Sequence, residues 1–426
     1  MKRDKFAELI LWKEDQRRKP LIMRGARQTG KTWLLKEFGR THFRKLVYVN
    51  FEEASNLQSI FKYDFDITRI ITVLQIYSQT VISPEDTLIV FDEIQSAENG
   101  ITSLKYFYEN APQYYLIAAG SLLGMGLHSK VSFPVGKVDF MDLRPMIFSE
   151  FLMALKEDGL AETIKGKDWA TLSLFHNKLI EYLKYYLYVG GMPEVVKVFS
   201  ETRDWEQVRK AQIQILNSYE ADFSKHTPAE IVTRVRMVWQ SIPAQLAKEN
   251  KKFVYGVIRG GARAKDFEIA IQWLVDCGLL IKIHRISKPG IPLIAYQDLS
   301  VFKLFLHDVG LLGAMAGIHI SVLLNGNEVF TEFKGALTEQ YVMQQLRIES
   351  NRYIGYWTNE RSTSEVDFVV QDNGIIIPYE VKSGENLRAK SFRLFCEKYA
   401  PVRAVRTAMS PYKKEDWMTN IPLYGI

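Results

Sequence analysis

Leu21, Ile22 and Met23 form a short apolar run ahead of a glycine-rich stretch, and Trp33, Leu34, Leu35 and Phe38 follow at helical spacing. This order predicts a strand, a loop and a helix. Three more apolar runs follow: KLVYVNFEE (Lys45 to Glu53), TLIVFDEIQ (Thr87 to Gln95) and YYLIAAGS (Tyr114 to Ser121). The run from Thr87 is apolar at consecutive positions, as in a strand covered on both faces of a parallel sheet. Strands separated by helical stretches predict a parallel α/β sheet that binds ligands at its strand ends. From Asp142 to Val196 the pattern is helical, entered through Leu143-Arg144-Pro145 and broken at Gly190-Gly191-Met192-Pro193. That stretch is expected to form a helical lid. Beyond Ala229, Val235, Val238, Trp239, Ile242 and Leu246 mark one helix and DFEIAIQWLVDCG a second. A hairpin around Ser287-Lys288-Pro289-Gly290 follows, so a winged-helix-like module is expected. Its second helix sets Asp266, Glu268 and Asp276 against Arg263 and Lys265, a poor surface for DNA phosphates. The last quarter reads as a helix, GALTEQYVMQQL (Gly335 to Leu346), and then SEVDFVVQDNGIIIPYEVKSGEN (Ser364 to Asn386), two strands joined at Asn373-Gly374.

The loop between the first strand and helix is GARQTGKT, the G-x-x-x-x-G-K-[ST] pattern in the setting it requires. Gly25 and Gly30 let the backbone wrap closely, so the amides of Ala26, Arg27, Gln28, Thr29 and Gly30 can turn toward a phosphate. Lys31 can reach the β- and γ-phosphates of ATP, and the Thr32 hydroxyl can ligate Mg²⁺. Asp92 and Glu93 end the buried strand: Asp92 for the Mg²⁺ shell, Glu93 to polarise the attacking water. Ser121, at the end of the fourth strand, stands where a polar residue would sense the γ-phosphate.

The carboxy-terminal hairpin carries a second set of charges. Counting outward from Asn373-Gly374 pairs Val370 with Ile377, Phe368 with Tyr379, Asp367 with Glu380 and Glu365 with Lys382. Alternation puts Val366, Phe368, Val370, Ile377, Tyr379 and Val381 on the core face, and Glu365, Asp367, Glu380 and Lys382 on the other. Glu365 opposite Lys382 is a favourable cross-strand pair. Asp367 opposite Glu380 costs about 0.2–1 kcal/mol unless something compensates. A divalent cation would do so, with Lys382 placed to stabilise developing charge.

The composition, 47% hydrophobic and 24% charged, is that of a folded globular protein rather than a disordered one. The first residues lack the uninterrupted apolar core of a signal peptide, and no run approaches the length of a membrane helix, so a cytoplasmic protein without a membrane partner is expected. Cys277 and Cys396 are isolated, which argues against disulfides and a structural zinc. The formal charge of +6 is mild. Arg388, Lys390, Arg393, Lys398, Arg403, Arg406, Lys413 and Lys414 lie close together, however, and are a candidate footprint for DNA.

The chain resembles AAA-type ATPases of bacteria and archaea that carry a characteristic carboxy-terminal region of unknown function. GARQTGKT, LIVFDEIQ, AAGSLLG, FPVGKVDFMDLRPMIFSEFL, YVGGMPEVV and FKLFLHDVGLL carry the resemblance. Members commonly have an arginine where this chain has Lys137 after Gly136; Arg144 is a second basic candidate. The last quarter is similar to the PD-(D/E)xK nuclease fold, which implies metal ligands at Asp367 and Glu380, a catalytic Lys382, and Glu339 as the acid of the preceding helix. The expected organisation is an ATPase core over residues 1–145, a helical lid over 146–225, a winged-helix-like module over 226–310 and a nuclease-like α/β domain over 311–426. The expected function is Mg²⁺-dependent ATP hydrolysis coupled to a module that binds or cleaves DNA. The alternative is an ATP-gated protein that docks a protein partner, a second copy of itself or DNA, with an inactive nuclease-like domain.

Overall fold

The structure is a computed structural model that describes residues 1–120, 133–248, 251–325, 331–348, 352–359, 364–383 and 390–426. The chain divides into two compact units, Lys2–Arg144 with Asp276–Gly278, and Pro145–Val275 with Leu279–Ile426.

The amino-terminal unit is built on strands β1 (Leu21–Arg24), β2 (Lys45–Asn50), β3 (Thr87–Asp92), β4 (Tyr115–Gly120) and β5 (Asp139–Asp142). They form one sheet in the order β2-β3-β4-β1-β5, with every pairing parallel. The continuous apolar character of β3 has a direct cause. Leu88 and Val90 point to one face, where they join Leu9 and Trp12 of helix α1 (Lys5–Glu14) and Leu34, Leu35 and Phe38 of α2 (Lys31–His42). Ile89 and Phe91 point to the other, against Ile70 and Leu74 of α3 (Ile67–Ser78) and Leu104 and Phe107 of α4 (Gly100–Asn110). Both faces are covered, so no position along β3 needs to be polar. Because the strands are parallel, the ends of β1 and β3 open on the same edge.

In the carboxy-terminal unit the helices Phe148–Ala154, His176–Val189, Pro193–Thr202, Trp205–His226 and Ala229–Leu246 come first. An eight-stranded sheet follows in the order β12-β13-β11-β10-β9-β8-β6-β7. Its strands are β6 (Leu280–Ile286), β7 (Gln297–Leu306), β8 (Tyr353–Thr358), β9 (Glu365–Asp372), β10 (Ile375–Val381), β11 (Val405–Ala408), β12 (Lys413–Lys414) and β13 (Thr419–Pro422). The hairpin expected as the wing of a separate module is the edge of this larger sheet. Arg285 and Ile286 of β6 pair in parallel with Tyr356 and Trp357 of β8. The second strand also starts later than the pattern suggested: Leu293–Tyr296 is a 3₁₀ turn, and β7 runs through the FKLFL segment instead.

The break at Gly190-Gly191 is tied to the HDVGLL segment by one buried carboxylate. Asp308 accepts the Gly191 N–H at 2.6 Å and the Leu311 N–H at 3.0 Å, capping the helix Val309–Met315. A Cβ on Gly190 would lie 2.2 Å from Asp308 Oδ1, and one on Gly191 2.0 Å from the Met146 carbonyl oxygen. These two stretches, without assigned roles in the sequence, form one packed joint.

The helix Thr331–Leu346 is buried from Ala336 to Leu346 although it is rich in polar residues. Its glutamines satisfy backbone groups that would otherwise be orphaned. Gln340 takes the Leu306 N–H at 2.9 Å and donates to the Leu306 carbonyl, Gln344 takes the Val309 N–H at 3.0 Å, and Gln345 takes the Phe148 N–H at 3.1 Å. Of the expected basic run, Arg388 lies outside the described residues. Arg406 is no surface charge: it is 4% exposed, bonded to Asn420 and paired with Glu415. Among the described residues no helix is long and apolar enough to cross a membrane. Neither Cys277 nor Cys396 is in a disulfide.

Candidate functional site

The glycine loop runs from the end of β1 to the start of α2. Gly25 has φ +152°, and a Cβ there would lie 2.1 Å from the Leu143 carbonyl oxygen, so only glycine lets the loop lie against the end of β5. Gln28 (φ 64°) and Gly30 (φ 93°) turn the backbone through left-handed conformations before α2 begins at Lys31. Thr29, 1% exposed, ties the loop internally by donating from Oγ1 to the Ala26 carbonyl at 2.9 Å. Arg3 braces it from outside, donating to the Thr29 carbonyl at 2.9 Å and to the Arg144 carbonyl at 2.5 Å.

Lys31 Nζ folds onto its own loop, 2.8 Å from the Gly25 carbonyl and 2.9 Å from that of Ala26. Burial pulls its ammonium down to about 8, with Glu93 and Asp92 opposing the shift. An ammonium held by loop carbonyls can exchange them for phosphate oxygens. Thr32 Oγ1 donates to Asp92 Oδ2 at 2.7 Å. Thr32 and Asp92, the two residues expected to hold Mg²⁺, are therefore in contact, and a hydroxyl and a carboxylate oxygen are ligands of the kind that ion accepts. Glu93 follows at φ 49° and accepts from Gln95 Nε2 at 2.5 Å, which aims its carboxylate.

Three members of this site were not expected. Tyr48 of β2 donates to Asp92 Oδ2 at 2.8 Å, and burial followed by Asp92 pushes its phenol well above its ordinary value. Gln95 and Arg3 are the others. Gln95 stands two residues after Glu93 and so was legible as a neighbour; Tyr48 looked like one apolar position in a strand. Arg27 stands 3.7 Å from Glu52. Lys137 pairs with Glu109 at 3.2 Å. It precedes β5, whose pairing with β1 places Asp139 beside Leu21 and Asp142 beside Arg24, so Lys137 lies at the sheet edge opposite the loop of its own chain. Arg144 lies at the loop's edge, 3.7 Å from Asp142, which also binds Arg24 at 2.9 Å. Burial lowers the Arg144 guanidinium. Ser121 lies outside the described residues.

The second charged group sits in the carboxy-terminal unit. The hairpin register is the one counted from Asn373-Gly374: Asp372 pairs with Ile375, Val370 with Ile377 and Phe368 with Tyr379. Beyond Tyr379 the ladder gives way, and the Val381 N–H donates to the Asp367 carboxyl at 2.7 Å. The expected core face is corrected. The register of β8 against β9 shifts between Gly355 and Trp357, so Val366 packs with Val369 and Phe392 while Phe368 faces Phe305. An inserted residue reverses the alternation on one side of a bulge.

The expected Glu365–Lys382 pair is also replaced. Lys382, just past the end of β10, binds Glu380 of that strand at 2.6 Å, and Glu365 binds Lys303 of β7. Glu339, on the helix Thr331–Leu346, does join this group; it binds Lys251 and lies 3.8 Å from Lys303. The structure thus brings Glu339, Asp367, Glu380 and Lys382 together, keeps Glu365 among them as expected, and adds Lys251 and Lys303. Burial, then Glu339 and Glu380, raises Asp367 well above the carboxylate range. Burial also raises Glu380, against Lys382, whereas Lys251 and Lys303 outweigh burial at Glu339 and hold it low. Among the described residues no three His, Cys, Asp or Glu side chains are arranged to hold a metal ion. Lys251 and Lys303, on residues remote in sequence, carried no signal for this site.

Residues 17–152 match the profile of an AAA domain. Residues 180–321 and 334–425 match two domains of unknown function (DUF8612 and DUF4143). Comparison with curated proteins finds no match. Among solved structures, a Walker-type ATPase of Pyrococcus abyssi is similar with a TM-score of 0.45 and 14% identity, over 74% of this chain and 95% of that one. The AAA match spans the glycine loop, Asp92 and Glu93 and supports ATP binding.

Proposed function

We propose that the protein is a Mg²⁺-dependent ATPase whose carboxy-terminal unit has a nuclease-like centre that docks a partner, DNA or protein, and does not cut. The observation that carries the first part is the 2.7 Å contact of Thr32 with Asp92 beside the buried Lys31 ammonium. Lys31 and the loop amides would hold the phosphates, and Thr32 and Asp92 the Mg²⁺, which when bound neutralises charge on the transferred phosphoryl group. Glu93, aimed by Gln95, would orient the attacking water and accept its proton. Glu93→Gln is expected to keep ATP binding and lower turnover by at least about 100-fold. Normal hydrolysis by that variant would remove Glu93 from the mechanism.

The non-cutting reading is favoured over cleavage by the lysines at the second centre. Glu339 and Glu365 are matched by Lys251 and Lys303, which lie outside the sequence pattern of a PD-(D/E)xK site. The charge that a metal would supply in a nuclease is already present.

A further inference from the structure

The acids of the carboxy-terminal unit converge from separate elements: Glu339 from the helix Thr331–Leu346, Glu365 and Asp367 from β9, and Glu380 from β10. Four carboxyls so close, those of Glu339 and Glu380 buried and those of Glu365 and Asp367 half-buried, would repel one another. Three ammoniums stand among them. Lys303 is central: its side chain is 1% exposed, it binds Glu365, lies 3.8 Å from Glu339, and its Nζ sits 4.7 Å from the Tyr356 ring centroid. Lys251 closes on Glu339 from the segment that follows the helix Ala229–Leu246. That segment is anchored two residues on, where the Phe253 N–H donates to the Phe302 carbonyl at 2.8 Å and the two rings stack with centroids 5.3 Å apart. Lys382 takes Glu380. One oxygen remains: Glu339 Oε2 is buried, without a hydrogen bond among the described residues, and turned toward Lys303.

We propose that Lys303, seconded by Lys251, is a built-in counter-ion standing where a divalent cation would otherwise sit among Glu339, Asp367 and Glu380, so that the centre is closed to Mg²⁺ and Mn²⁺ until a lysine is removed. The proposal deepens the non-cutting reading above and rests on it. Its physical basis is charge. Four carboxyls against three ammoniums leave at most one net negative charge, and a dication added to that set would be the excess charge. With Lys303 gone, the same oxygens, Glu339 Oε2 included, are hard ligands that can close on Mn²⁺ or Mg²⁺, an arrangement the described side chains do not hold while Lys303 is in place.

The test is cation rescue in the full chain, free of nucleotide, with MnCl₂ as the probe. The melting temperature of the wild type should not move with Mn²⁺. Lys303→Met should melt roughly 5–10 °C lower, as expected when one partner of a buried pair is removed. Mn²⁺ should restore most of that loss, and Lys303→Met with Asp367→Asn should not be restored. ATP turnover by Lys303→Met, unchanged from wild type, checks that the chain is folded. Should Lys303→Met not fold, Lys251→Met carries the same test through direct Mn²⁺ titration by electron paramagnetic resonance, with binding expected at least about 10-fold tighter than in the wild type. A saturable Mn²⁺ shift in the wild type that Asp367→Asn abolishes would overturn the proposal; so would lysine variants that gain no Mn²⁺ binding. The two failures are separable. Mn²⁺-dependent DNA cutting by the wild type, lost in Asp367→Asn, defeats the non-cutting reading as well, whereas intact DNA with no gain of Mn²⁺ binding defeats the counter-ion proposal alone.

Discussion

At the scale of single residues, the amino-terminal site depends on how firmly Asp92 is held. Its Oδ2 accepts from both Thr32 and Tyr48. If Thr32 and Asp92 hold Mg²⁺ as proposed, Tyr48 would be the partner that keeps the Asp92 carboxylate in place. A hydrogen bond to a charged group contributes about 1.5–3 kcal/mol, so Tyr48→Phe should lower kcat/KM for ATP by at least about 10-fold. Steady-state hydrolysis measures this, and an unchanged value would mean that Asp92 needs no anchor. A second residue pair has opposed proton linkages. His307 is buried, donates from Nδ1 to the Leu279 carbonyl and accepts from the Tyr219 hydroxyl, and burial lowers it to about 4 from its ordinary 6.5. Its stabilisation is therefore full above the ordinary value and is lost as pH falls toward the folded one. Asp308 is raised by burial to about 6 from 3.8, so its stabilisation is full at low pH and is lost as pH rises through about 6. The neighbours offset each other across this window. His307→Gln should unmask Asp308: the stability of the variant relative to wild type should rise by about 2 kcal/mol between about pH 6.5 and about pH 4.5. Chemical denaturation at the two pH values reads this difference, and a constant difference would show that His307 does not titrate with unfolding.

At the scale of elements, the decisive features are places where a backbone comes too close for a side chain. Gly191 is held between the Asp308 carboxylate and the Met146 carbonyl, where a Cβ would be 2.0 Å from that oxygen. Neither neighbour can yield cheaply, because Asp308 also caps the helix Val309–Met315. Gly191→Ala should cost at least about 3 kcal/mol, seen as an earlier melting transition of the carboxy-terminal unit. An unchanged transition would mean that the joint tolerates a shift of the Met146 backbone. The β8–β9 bulge has the same local character. The run SEVDFVV alternates only as far as Phe368 and stays apolar through Val369 and Val370, which does not place the shift; that is set by how Gly355 and Trp357 meet Val369 and Val366.

At the scale of the whole molecule, two charged centres of different kinds share one chain. The first has a lysine whose partners are loop carbonyls, which phosphate oxygens can replace. The second has lysines whose partners are carboxylates of the same unit, which no incoming ligand displaces without a large desolvation cost. Double-stranded DNA incubated with Mg²⁺ or Mn²⁺ is therefore expected to stay intact, and ATP turnover to be indifferent to added DNA. Cleavage, or stimulation of turnover by DNA, would restore the reading in which the second centre is a working nuclease site.

What the residue order determined by itself was local. The glycine loop, its lysine and threonine, and the Asp-Glu pair at the end of a buried strand are each contiguous, and their backbone demands can be read from a few neighbouring positions. The Asn373-Gly374 turn set the hairpin register as far as Phe368 and Tyr379 for the same reason, since a two-residue turn fixes the pairs next to it. Only the tertiary structure decided who neutralises whom. Glu365 finds Lys303, and Glu339 finds Lys251, across 62 and 88 residues of chain. Tyr48 reaches Asp92 only because β2 lies beside β3. Charge pairing in a buried site depends on distance through space, and distances set by sheet order are not written at any one position.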